Sequence, residues 1–160
     1  MGIAAPVSAV LVTYTLVGFS SGSNTLNGSI TINDADLNSL IIQPEVTAWS
    51  LTASGTPQFS LDSTAAFANF GCSSDLVTWC FSIVGNQLIF PFERLVGDPE
   101  RYARFGDGTG NFVQFQNGRP GLGLALLTWY ENAGPVYQSI VSRPPLIGIA
   151  AERTVPATGT

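Results

Sequence analysis

Apolar and polar residues alternate along most of this 160-residue chain. In residues 25–32, for example, every second position is apolar or glycine: Leu26, Gly28, Ile30 and Ile32. A period of two is typical of a β-strand with one buried face. About nine or ten such segments occur, at the spacing of roughly 8–12 residues found in sandwiches and barrels. The pattern predicts an all-β fold, namely an antiparallel β-sandwich with a jelly-roll-like arrangement.

Turn and helix signals refine this prediction at two places. Gly85 and Asn86 separate two alternating runs, and both residue types tolerate positive φ, so they predict a tight hairpin. Asp98, Pro99 and Glu100 form a favourable helix start, which predicts one short helix near residues 98–104.

The length of the chain favours a single domain, spanning residues 1–160 with frayed ends at about 1–8 and 155–160. No internal linker or repeat divides it. The first residues, MGIAAPVSAVLV, lack a basic n-region, although their small residues are compatible with a signal-cleavage site. No apolar run approaches the ~18 residues that span a bilayer, so no membrane span is predicted in this chain.

Composition narrows the possible partners. The chain has no His, six cations and eleven carboxylates, which give a net charge of −5. Such a surface repels phosphate backbones, so nucleic acid is not an expected partner. The missing histidine removes the commonest general base and the commonest metal ligand. We expect no cofactor.

The two cysteines, Cys72 and Cys80, flank a short segment, CSSDLVTWC. No histidine is available to activate a catalytic thiolate, and two thiols fall short of a zinc site. A disulfide between them is favoured over two inert free thiols, and it is sterically easy if residues 67–72 and 76–83 form adjacent strands or a wide hairpin. Cys80 alternates onto the polar side of its strand, where a free thiol would be exposed. A disulfide implies an oxidising compartment.

Two polar stretches allow either a functional or a purely structural interpretation. Asp34 and Asp36 are spaced as in calcium loops, although a local turn explains them as well. Residues 93–110 carry seven charged side chains, Arg101 and Arg104 among them. They are either a binding loop on a rigid scaffold or a solvated crossover.

Aromatic residues supply the remaining candidate. Trp129 and Tyr130 are adjacent on a predicted strand, so they point to opposite faces and one of them can be exposed. In sugar-binding β-sandwiches an exposed aromatic ring offers its apolar face to a sugar, although most such rings belong to the core. Together with Glu131, Arg101 and Arg104, they form the predicted ligand-binding set.

The chain contains the stretches TYTLVGFSSGSNTLNGSITINDAD, VTAWSLTASG, QFSLDST, NQLIFPFE and GLGLALLTWY. Together they resemble secreted bacterial proteins that carry a PEP-CTERM sorting signal. The family's sorting tail, a Pro-Glu-Pro motif with an apolar span and an Arg cluster, does not occur in these residues. The resemblance therefore concerns the ectodomain. It implies a β-sandwich, export from a bacterium and association with exopolysaccharide or biofilm matrix, and it implies no catalytic residue.

These observations predict an exported, non-enzymatic structural or adhesive protein of the extracellular or biofilm matrix, located outside the cell or at its surface. One alternative is a carbohydrate-binding module with polysaccharide as its partner. A second is a subunit that self-assembles into a filament or shell through edge strands. A hydrolase with paired carboxylates ranks last, because no motif supports it.

Overall fold

The computed structural model describes residues 2–3, 10–21, 23–33, 40–55, 58–64, 67–72, 79–90, 97, 99–117, 125–131, 134–141 and 146–150. Nearly all of the regular structure in these residues is β-strand. The strands are β1 Leu11–Leu16, β2 Phe19–Ser21, β3 Asn24–Asn33, β4 Leu40–Ile42, β5 Val46–Ser54, β6 Phe59–Asp62, β7 Phe67–Phe70, β8 Trp79–Val84, β9 Gln87–Ile89, β10 Tyr102–Gly106, β11 Phe112–Gln116, β12 Ala125–Glu131, β13 Gly134–Val141 and β14 Leu146–Ile149. A 3₁₀ turn, Gln43–Glu45, precedes β5.

The strands form two antiparallel sheets. The nine-stranded sheet has the order β4-β8-β9-β14-β1-β3-β5-β6, with β2 paired to β3, and it curves into a half-barrel. The five-stranded sheet has the order β13-β12-β11-β10-β7. This arrangement confirms the prediction of an all-β, sandwich-like fold. Strands β10 to β13 follow one another as a meander, whereas a jelly roll is built from Greek keys, so this sheet differs from the expected jelly-roll arrangement.

Strand alternation places the core between the sheets. In β1, Val12, Tyr14 and Leu16 are buried, while the residues between them are exposed. Phe81 of β8 lies at the centre of an aromatic cluster. Its ring centroid is 6.0 Å from that of Phe115 and 6.5 Å from that of Phe105, both in the five-stranded sheet. Ring contacts of this kind add to apolar burial in holding the two sheets together.

The predicted helix near residues 98–104 is wrong. Residues 99–101 have no regular secondary structure, and β10 begins at Tyr102. This strand pairs with β7 on one side and β11 on the other, and it buries Ala103 and Phe105 in the core. Sheet pairing and inter-sheet burial therefore override the local helix-start signal, as tertiary context commonly does.

The predicted hairpin is confirmed. Gly85 and Asn86 form the turn between β8 and β9, and Val84 pairs with Gln87. Gly85 has φ = 61°, a left-handed conformation that favours glycine.

The predicted disulfide is confirmed, with Cα atoms of Cys72 and Cys80 5.3 Å apart. The expected pairing of their segments is wrong, because β7 pairs with β10 and β8 pairs with β4 and β9. Cys72 follows the edge strand of the five-stranded sheet, and Cys80 belongs to the nine-stranded sheet, so the bond joins the two sheets.

Cys80 is fully buried, contrary to the expected exposure. A β-bulge explains the difference. Ile41 pairs with Phe81 and Ile42 pairs with Trp79, which leaves Cys80 as the extra residue. A bulge interrupts the strict alternation of faces, so Cys80 and Phe81 are both buried.

In the described part of the chain, no helix has the length and apolar character needed to cross a membrane.

Candidate binding surface on the five-stranded sheet

The five-stranded sheet has one face in the core and one face directed away from the other sheet. Ala103, Phe105, Val113 and Phe115 occupy the core face. Because side chains alternate along a strand, the intervening positions form the opposite face, which we call the outer face. Its described side chains are Phe67, Asn69, Tyr102, Arg104, Phe112, Gln114 and Gln116. The surface is thus a mixture of aromatic rings, amides and one guanidinium group.

Two glycines on this surface support aromatic rings. Gly71 hydrogen-bonds with the backbone of Tyr102, and a Cβ placed at position 71 would overlap the tyrosine ring. Gly106 pairs with Phe67, whose Cζ lies 3.3 Å from where a Cβ at position 106 would stand. Each ring therefore lies over backbone that has no side chain of its own.

Arg104 lies between two of the rings. Its guanidinium carbon is 4.3 Å from the ring centroid of Phe112 and 5.3 Å from that of Tyr102. Both distances are within the range of cation–π attraction, which contributes about 0.5–1 kcal/mol at exposed sites. The half-buried side chain is thereby held along the sheet surface instead of extending freely into solvent.

Gln114 orients the guanidinium group from the neighbouring strand. Arg104 Nε donates a hydrogen bond of 2.8 Å to Gln114 Oε1. Gln114 Nε2 in turn donates to Gln116 Oε1. Gln114 is only 3% exposed, although it lies on the outer face. Burial makes an unsatisfied amide costly, so the chain of hydrogen bonds restrains all three side chains.

The loop after β10 is closed by the Asp107 carboxylate. Its Oδ1 accepts hydrogen bonds from Thr109 N at 2.8 Å, Thr109 Oγ1 at 2.7 Å and Asn111 N at 3.3 Å, and its Oδ2 accepts one from Asn111 Nδ2 at 2.9 Å. Partial burial acts to raise the pKa of Asp107, but the hydrogen bonds from Thr109 and Asn111 together outweigh it and lower the pKa. This carboxylate is therefore engaged within its own loop.

Arg101 lies just before β10, three positions from Arg104. Its backbone N–H donates to Asn117 Oδ1 at 3.0 Å, and its carbonyl accepts from Asn117 N at 3.1 Å. The buried Asn117 side chain also donates from Nδ2 to the Pro99 carbonyl at 2.9 Å. Asn117 thus anchors the segment leading into β10. Arg101 precedes the strand, so it is not part of the alternation that places Arg104 on the outer face.

The other predicted ligand-binding residues lie on β12. Tyr130 pairs with Phe112 of the outer face, and Trp129 pairs with the buried Val113. Glu131 ends the strand. The backbone register therefore brings the Tyr130 position close to the Arg104 surface, while the side chains of these three residues lie outside the described structure.

The predicted calcium candidates, Asp34 and Asp36, also lie outside the described residues. Within the described ranges, no group of three or more Cys, Asp or Glu residues is placed to hold a metal ion.

The outer surface of the nine-stranded sheet has a different chemistry. It presents rows of hydroxyl side chains, in which Thr13 pairs with Thr31 and Thr15 pairs with Ser29. The Oγ1 atoms of Thr13 and Thr31 are 2.8 Å apart. Hydroxyl groups that bond across strands satisfy one another, and this face serves as a natural comparison for the aromatic one.

Sequence reasoning missed Tyr102, Phe112, Gln114 and Asn117. For β11 a signal was available, because Val113 and Phe115 share a face and the alternate positions must share the other. Tyr102 was missed because its segment was predicted to be a helix and not a strand. Asn117 has no local signal, since its partners precede β10.

No family model, curated protein or solved structure matches this chain.

Proposed function

We propose that this chain is an exported, non-catalytic polysaccharide-binding domain with an adhesive role in an extracellular matrix. The observation that carries the proposal is the outer face of the five-stranded sheet, where Tyr102, Arg104 and Phe112 form one continuous aromatic and cationic surface. Aromatic ring faces pack against the apolar C–H faces of sugar rings, and neighbouring amides bond sugar hydroxyls. Phe67, 47% exposed, extends the surface across the edge strand.

A sheet face suits a polymer better than a small molecule. Small ligands bind in concave pockets that bury most of their surface, whereas an extended chain can lie along a row of side chains. The rings of Tyr102 and Phe67 lie over Gly71 and Gly106, where no side chain separates them from the backbone of the sheet. The disulfide is compatible with an oxidising, extracellular location, and the family resemblance supports a role in the matrix.

The experiment is affinity gel electrophoresis of the oxidised protein in gels containing neutral or acidic polysaccharides. We expect retardation in at least one polymer, and we expect Tyr102→Ala to weaken it several-fold by removing one ring. Thr15→Ala, on the hydroxyl face of the other sheet, is the matched control and should bind like the wild type. Unchanged mobility of the wild type across a broad panel would refute the proposal.

Self-assembly is a second candidate function, favoured by the position of β13. This strand of eight residues lies at one end of the five-stranded sheet order. Edge strands of this length can pair between chains. Light scattering at increasing protein concentration should then report growing oligomers, and a stable monomer at high concentration would contradict this candidate.

A further inference from the structure

The outer face contains a positively charged side chain, Arg104, which the binding of a neutral sugar would not require. Arg104 is held between the rings of Phe112 and Tyr102 and is bonded through Nε to Gln114. An arginine has five N–H donors, and within the described residues Arg104 uses only Nε, so the four donors of the two Nη groups are available there to a ligand. Within the described part of the chain, no carboxylate contacts Arg104.

The nearest acidic group along the strand is already occupied. Asp107 follows β10 directly, but all of its described hydrogen bonds lie within its own loop, with Thr109 and Asn111. It therefore does not neutralise Arg104. The guanidinium group remains a localised positive charge on a chain whose net charge is −5.

We propose that the ligand of this surface is an acidic polysaccharide, and that Arg104 binds the carboxylate of a uronic acid residue while the flanking rings contact the sugar. This inference rests on the polysaccharide-binding function proposed above. A planar guanidinium group matches a carboxylate through two parallel hydrogen bonds, which a neutral hydroxyl cannot provide. Because Gln114 occupies Nε, the Nη edge is presented in one orientation, and Gln114 acts as a positioning residue.

The overall negative charge of the chain opposes the approach of a polyanion, but only over a short range. At physiological ionic strength, exposed charges are screened beyond about 8 Å. The hydrogen bonds of an arginine–carboxylate pair act at roughly 2.7–2.9 Å. The local contact with Arg104 therefore decides the preference between an acidic and a neutral polymer.

The test compares two polymers that differ only in the carboxylate, polygalacturonate and its fully methyl-esterified form. Isothermal titration calorimetry with the oxidised full chain should give at least tenfold tighter binding to polygalacturonate. Arg104→Lys keeps the positive charge but loses the planar guanidinium group with its two parallel donors. It should therefore reduce this preference at least fivefold. Gln114→Leu should also lower the ratio of the two affinities, because the guanidinium group loses the hydrogen bond that orients it. A loss of preference in a variant whose circular dichroism spectrum matches the wild type is a pattern that a merely structural role would not produce.

Each outcome separates the two proposals. Equal affinity of the wild type for both polymers would overturn the acidic-ligand inference and leave the binding function standing. Full preference in Arg104→Lys would overturn the assignment of Arg104. Failure to bind either polymer, together with failure across the neutral panel, would overturn the proposed function as well. Thr15→Ala should retain the wild-type preference, and circular dichroism spectra should confirm that every variant is folded.

Discussion

Removing the inter-sheet disulfide should lower the stability of the protein by an amount that its short loop determines. Cys72 and Cys80 are separated by eight positions, for which the loop-closure relation gives about 2.5 kcal/mol at 25 °C. For a chain of this size, each kcal/mol shifts the melting temperature by about 2–4 °C. The double variant Cys72→Ala/Cys80→Ala should therefore melt about 5–10 °C below the oxidised wild type.

The assay is urea unfolding followed by tryptophan fluorescence, with linear extrapolation to zero denaturant. The single variant Cys80→Ala breaks the same bond, so its loss should nearly equal that of the double variant instead of adding to a second loss. Because both cysteines are almost fully buried, replacement by alanine also leaves a small void at each sulfur position, which adds to the loss. A loss below about 1 kcal/mol in the double variant would refute the loop-entropy reasoning.

Three further predictions concern the aromatic core, the close contact between Gly28 and the backbone of the neighbouring strand, and the ionisation of the Asp107 carboxyl group. Phe81→Ala should cost about 3–5 kcal/mol in urea unfolding, because the ring is fully buried in the aromatic cluster; a cost near that of exposed Phe67→Ala would contradict its central role. Gly28→Ala should cost more than about 2 kcal/mol, since Gly28 has φ = 146° and a Cβ there would overlap the Ser50 carbonyl oxygen; wild-type stability in urea would disprove this. The lowered pKa of Asp107 means that its ionised form stabilises the fold above the ordinary value of 3.8 and that this contribution is lost as pH falls through the folded-state pKa. The stability difference between wild type and Asp107→Asn should therefore stay constant above about pH 5 and shrink as the pH falls below 3.8 in urea titrations, and a pH-independent difference would refute the assignment.

Much of the sandwich could be predicted from the sequence because strand alternation is a local signal. Leu26, Ile30 and Ile32 are buried on the predicted face, and the Gly85–Asn86 hairpin forms where the turn residues stand. The disulfide was predictable because the chain has only two cysteines and no histidine to give them another role.

What sequence reasoning missed depends on contacts between distant segments. Asp98 to Glu100 signal a helix locally, but pairing of β10 with β7 and β11 decides the outcome. The burial of Cys80 follows from a bulge opposite β4, and no residue near Cys80 predicts this bulge. The surface around Arg104 forms because strand register aligns it with Gln114, and register is a property of the whole sheet.

Strand β14 has a consequence for the order in which the protein can be assembled. It lies between β9 and β1, and Thr15 pairs with Ile149 from the far end of the described chain. During synthesis from the N-terminus, the halves β4-β8-β9 and β1-β3-β5-β6 therefore remain separate until this late segment emerges. Such distant pairing slows folding and leaves two strand edges open to wrong partners in the meantime. The chain is therefore more exposed to aggregation before residues 146–149 are synthesised than after they have paired with β1 and β9.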